Sequence, residues 1–90
     1  MEIKIPITNR ARKYGYLIWP KKKEDKLKKL IGDKDKITVT LNGYMLGTKN
    51  IGWKYCRISL GPQQTKGISV QANSFHLKIT KSGELEIISY

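Results

Sequence analysis

The sequence predicts a mainly β fold, a small barrel of about seven strands with one short helix at residues 21–31. Three observations carry that expectation. Apolar and polar residues alternate in several short segments, which is the period of a strand buried on one face. Turn-forming residues separate those segments at short intervals, with Asn42-Gly43 the strongest hairpin dipeptide among them. A helical spacing of apolar residues occurs once, and many short strands with regular turns point to a barrel or sandwich. Ninety residues, 39% of them apolar, support a single domain with a small core.

The first strand is expected where Ile3, Ile5 and Ile7 alternate with Glu2, Lys4 and Pro6, and Pro6 marks it as an edge strand. Thr8 to Tyr14 is polar and basic and reads as a loop, followed by Gly15 and a second strand, Tyr16-Leu17-Ile18-Trp19, stopped by Pro20. Leu27, Leu30 and Ile31 then share one helical stripe, with Glu24 and Asp25 early, Lys28 and Lys29 late and Gly32 at the C-cap, as the helix dipole favours. Ile37, Val39 and Leu41 alternate into the hairpin at Asn42-Gly43, which returns through Tyr44-Met45-Leu46. Trp53 to Leu60 alternates again, placing Trp53, Tyr55, Arg57 and Ser59 on one face of a strand and Cys56, Ile58 and Leu60 on the inward one. Gly61 to Gly67 reads as a turn-rich loop and Ile68 to Val70 as a short strand. A final hairpin pairs Phe75–Thr80 with Glu84–Tyr90 across Lys81-Ser82-Gly83.

Eighteen Lys and Arg face seven Asp and Glu, a net charge of +11. Such a balance favours polyanionic partners, and nucleic acid leads the expectation, with DNA duplex ahead of RNA. The basic emphasis is N-terminal: residues 1–36 carry twelve cations and five acids. A single cysteine excludes an intrachain disulfide framework and a multi-thiolate zinc site. The N-terminus lacks a signal-peptide h-region, and no apolar run approaches the roughly 18 residues of a membrane span, so a cytoplasmic or nucleoid-associated protein is expected.

From the basic loop onward, Gly15-Tyr16-Leu17-Ile18-Trp19-Pro20, the helix ending Leu30-Ile31-Gly32, and Asp33-Lys34-Asp35-Lys36-Ile37 resemble the AbrB/MazE-like swapped-hairpin DNA-binding domain over residues 8–46. Tyr16 stands where that family has Arg, and Asp35 where its second Gly is usual. The resemblance implies that the loop before the second strand reaches DNA, which carries to Arg10, Arg12 and Lys13. It also implies a homodimer; the further 45 or so residues equally allow one chain to close its own barrel, like larger DNA-binding pseudobarrels.

Physical chemistry points to the same loop, because Arg forks onto guanine edges or phosphate where Lys acts as a point charge, and two of only three arginines lie there. Lys21, Lys22 and Lys23 flank the helix start, where cations oppose the dipole unless a phosphate is near; a solvated lysine face is the plain alternative. Tyr14 and Tyr16 beside Lys13, and Trp53 and Tyr55 beside Lys54 and Arg57, interleave aromatic and cationic groups in the manner of surfaces that stack unpaired bases. Gln64 and Lys66 pair an amide able to read adenine with a phosphate-seeking cation, on what could equally be ordinary turn filling.

Catalytic groups are sparse. His76 is the only histidine, Cys56 has no thiolate-stabilising neighbour on its own strand face, and the acidic pairs Asp33/Asp35 and Glu84/Glu86 belong to turn and hairpin patterns. No enzyme, metal site or cofactor is expected. The sequence thus reads as a small DNA-binding protein, either a transcriptional regulator or an antitoxin-like or mobile-element accessory factor. Two alternatives stand beside it: an RNA or single-strand binding module, and a protein whose basic face binds an acidic protein partner. On the DNA reading, replacing Arg10 and Arg12 with Ala lowers duplex affinity far more than replacing Lys28 and Lys29; equal losses in an anisotropy titration would leave only general electrostatics.

Overall fold

The computed structural model describes residues 2–90. Seven strands form one sheet that curls into a nearly closed barrel: β1 (Ile3–Pro6), β2 (Tyr16–Ile18), β3 (Lys36–Leu41), β4 (Tyr44–Gly52), β5 (Arg57–Ser59), β6 (Ser74–Ile79) and β7 (Leu85–Ser89). Their order across the sheet is β1-β6-β7-β3-β4-β5-β2. All neighbouring pairs are antiparallel except β3 with β7, where Val39 faces Leu85 and Leu41 faces Ile87 in parallel register.

The alternation seen in the sequence becomes the inside of this barrel. Ile3 and Ile5 of β1, Ile37, Val39 and Leu41 of β3, Phe75 and Leu77 of β6, and Leu85 and Ile87 of β7 are all buried. The β3–β4 turn has positive φ at both Asn42 (51°) and Gly43 (87°), the geometry that matches the twist of a two-residue hairpin. An extra residue in β4 shifts the register between Val39 and Thr40, with Gly47 at φ 90° beside it.

The expected helix is present as a 3-10 turn, Lys21–Lys23, continuing into an α-helix at Glu24–Ile31. It drops Leu27 and Ile31 into the core and leaves its lysines outside.

Four expectations are corrected. Thr8 to Tyr14 is not a loop: Asn9–Tyr14 is a short helix, α1, so the helix at Glu24–Ile31 is α2. The Thr8 hydroxyl caps α1 by accepting from the Ala11 amide (3.1 Å), and Gly15 ends it in the left-handed region. Trp53 to Leu60 is not one strand. Trp53–Tyr55 forms a 3-10 turn, Cys56 adopts φ 55°, and only Arg57–Ser59 pairs as β5. Pro62–Thr65 is a single helical turn, α3, started by Pro at its first position. Ile68 to Val70 is not a strand; Ile68 is buried in a turn that leads to β6.

Gly15 fixes how these pieces meet. Its φ is 73°, and a Cβ there would fall on the Gly61 carbonyl group and the Pro62 nitrogen. The Gly15 carbonyl accepts from both the Leu60 (2.6 Å) and Gly61 (3.0 Å) amides. Gly15→Ala therefore combines left-handed strain with overpacking against backbone, a loss of roughly 2–5 kcal/mol. Gly83→Ala, at φ 85° with open space around it, bears the strain alone and loses about 1–2 kcal/mol, both losses being read from urea unfolding of the two variants.

Candidate nucleic-acid interface

Because β2 and β5 pair with Tyr16 opposite Ser59 and Ile18 opposite Arg57, Tyr16 and Arg57 sit diagonally on the outward face. The Arg57 guanidinium stacks over the Tyr16 ring at 4.4 Å and also lies 5.1 Å from the Tyr55 ring centre. Tyr16 in turn meets Tyr14, whose ring centre is 6.1 Å away, and Lys13 covers Tyr14 at 5.4 Å. Lys54 stands 5.7 Å from the Tyr55 ring. One residue further back, Trp53 is covered by Lys28 of α2 at 5.3 Å and donates its indole N–H to the Lys34 carbonyl (2.8 Å).

Four of these five cation–π contacts form one ladder running from Lys54 and Tyr55 through Arg57 and Tyr16 to Tyr14 and Lys13; the fifth, Lys28 over Trp53, stands apart from it. Tyr55 and Tyr14 remain exposed, at 62% and 47%. Trp53 itself packs edge-on against the buried Trp19, with ring centres 5.5 Å apart.

Lys13, Tyr14 and Arg57, singled out from the sequence, come together here. The others go elsewhere. Arg10 is exposed on α1. The Arg12 guanidinium donates to the Ala72 carbonyl and ties α1 to the turn before β6. Lys23 donates to the Lys4 carbonyl, and Lys21 pairs with Glu24 at 3.1 Å, which among the described residues leaves Lys22 as the uncommitted member of that trio. Gln64 and Lys66 lie on and just after α3, which is held to α1 by the Thr65 hydroxyl donating to the Arg12 carbonyl (3.0 Å). Tyr16, Tyr55 and Lys54 complete the ladder. The sequence signalled them only as aromatic–cation neighbours, because the 3-10 turn that turns Tyr55 toward Arg57 has no periodic signature.

Beneath the ladder lies Cys56, half-buried, its Sγ 3.7 Å from Glu24 Oε1. Burial pushes the thiol above its ordinary pKa; Lys21 opposes this and the Glu24 carboxylate adds to it. The hydrogen bond from Lys21 holds the Glu24 carboxyl below the usual range. Burial and the Glu24 carboxylate together favour the protonated thiol. Among the described residues no three of His, Cys, Asp and Glu gather where they could hold a metal ion, and no helix is long and apolar enough to cross a membrane.

Compared with known proteins, the chain matches no family model, no curated relative and no solved structure.

Since the thiolate is the reactive form, Cys56 is expected to alkylate with iodoacetamide at mildly alkaline pH several-fold more slowly in the folded protein than in urea. Equal rates in the two states would contradict the sheltered, protonated thiol.

Proposed function

We propose that this protein binds single-stranded nucleic acid along the ladder of tyrosines and cations. The observation that carries the reading is Arg57 stacked between Tyr16 and Tyr55, with Tyr14 and Lys13 continuing the same face. Unpaired bases stack on exposed aromatic rings whatever their sequence, each such contact contributing about 1–3 kcal/mol. Phosphates between successive bases are met by Lys13, Arg57 and Lys54 of the ladder and by Lys28 over Trp53, whose charges already line the rings. A guanidinium lying flat on a ring keeps its edge N–H groups free to bond phosphate oxygens.

Duplex DNA is the second reading, favoured by the exposed Arg10 on α1 and by the resemblance to the AbrB/MazE-like domain, whose DNA contacts fall in the same segment. It draws less support from Arg12, whose side chain is spent on the Ala72 carbonyl. Removing Arg12 loosens α1 as well, so Arg10→Ala alone is the clean probe of this reading.

Anisotropy titrations of labelled single strands and duplexes over a range of salt separate the two. On the single-strand reading, affinity falls with salt with a log–log slope of about −3, corresponding to about four neutralised phosphates. Tyr14→Ala and Tyr55→Ala each weaken single strands about tenfold or more while leaving that slope unchanged. Tighter duplex binding, insensitive to both tyrosines and lost in Arg10→Ala, would transfer the function to a duplex-binding regulator. Absence of binding to either form at low salt would turn the +11 charge toward an acidic protein partner.

A further inference from the structure

Around the barrel from the ladder, a cleft of about 260 Å³ opens between the β3–β4 turn and α3. Its floor is apolar, formed by the buried Leu41 and the half-buried Leu46. Tyr44, 76% exposed, stands along one wall, and Gln63 and Gln64 line the other. Asn42, at the turn, is occupied: its amide donates to the Ser89 hydroxyl (2.9 Å) and its carbonyl oxygen accepts from the Ser89 amide (2.9 Å). That double bond to β7 fixes the turn as a rigid wall. The glutamines differ, because the side-chain hydrogen bonds of α3 among the described residues come from Thr65.

We propose that this cleft is an adenine-selective pocket for one base of the strand bound on the ladder, an inference that rests on the single-strand reading. Four features select that occupant. No charged side chain lines the cleft, so the inserted group is neutral. An aromatic ring beside an apolar floor suits a planar ring that stacks. A glutamine amide presents one donor and one acceptor side by side, the complement of adenine N7 and its N6 amino group, where guanine N7 and O6 are two acceptors; pyrimidines also offer a donor–acceptor edge, and against them the two-ring purine is favoured by its larger stacking area on Tyr44. The exposed Lys66 follows at the end of α3, placed for the phosphate of the inserted nucleotide while the base goes inside.

The cleft and the ladder share a support. Gly15 abuts Gly61 at the start of α3, and Thr65 bonds α1, so α3 with its glutamines is held in fixed relation to Lys13 and Tyr14. A strand leaving the ladder over α1 arrives at α3.

The test compares oligothymidylate and oligouridylate with the same strands carrying one internal adenine, by anisotropy against the full chain. One adenine is expected to tighten binding about tenfold, the scale of a bidentate amide–base pair. Gln64→Ala and Tyr44→Ala remove that gain and leave affinity for the parent strands unchanged. Both positions are exposed, and coincident circular dichroism and urea midpoints verify that the variants fold. Arg57→Ala, by contrast, weakens all strands alike and keeps the adenine gain. Binding with no adenine preference, or a preference that survives both cleft variants, overturns the pocket while leaving the ladder intact. Failure of every strand to bind the unaltered protein overturns both.

Discussion

Gly15 and Gly61 meet backbone to backbone, with no room for a β-carbon between them. That contact ends α1, starts β2, and sets β2 beside β5 by having one carbonyl, that of Gly15, receive two amides. Tyr14 and Tyr16 flank this glycine in the chain, and Ser59 faces Tyr16 across the strand pair. The tyrosines therefore reach Arg57 because two glycines allow the chains to close. A side chain at Gly15 would part β2 from β5 and separate the rings from the guanidinium that joins them, whereas Gly61 is required for its backbone, at φ 101°.

Holding many cations on a small barrel carries a cost in mutual repulsion. On the ladder and at Trp53 part of that cost is offset by the negative faces of the aromatic rings, each of which supports at least one cation. Elsewhere it is met by pairing or by bonding to carbonyls: Lys21 with Glu24, Lys78 with Glu86, Lys23 with the Lys4 carbonyl and Arg12 with the Ala72 carbonyl. The cations fall into two sets, those that build the molecule and those whose charge is presented on a face. Sequence position does not separate them, since Arg12 and Lys13 are neighbours and belong to opposite sets.

Where the chain obeys one period, the fold was legible. The alternations of β1, β3, β6 and β7, the Asn42-Gly43 turn and the Leu27/Leu30/Ile31 stripe all stand as their spacing implied. Pattern failed where local bonding overrides it. Asn9–Tyr14 carries one buried residue, Ala11, too few to print a helical stripe, and its helix depends instead on the Thr8 cap and the Gly15 stop. Trp53 to Leu60 alternates well but breaks at Cys56, whose left-handed backbone no composition rule anticipates. The same break makes Tyr55 and Arg57 neighbours on the surface through a turn and not along one face of a strand. What each arginine touches was illegible, because Arg12 finds its partner sixty residues away.

The placement of β7 bears on how such a chain comes into being. Though last in sequence, it lies inside the sheet, bonded to β6 on one side and in parallel to β3 on the other. β1 has β6, far along the chain, as its partner and must wait for it. During synthesis on a ribosome, α2 and the β3–β4 hairpin can form early from local contacts, but their apolar faces stay uncovered until the final strand emerges. Closure then joins distant parts of the chain in one late, cooperative step, which places the protein among slow folders for its size. For that interval the nascent chain presents an unpaired β3 edge, which can close on itself or on a neighbour.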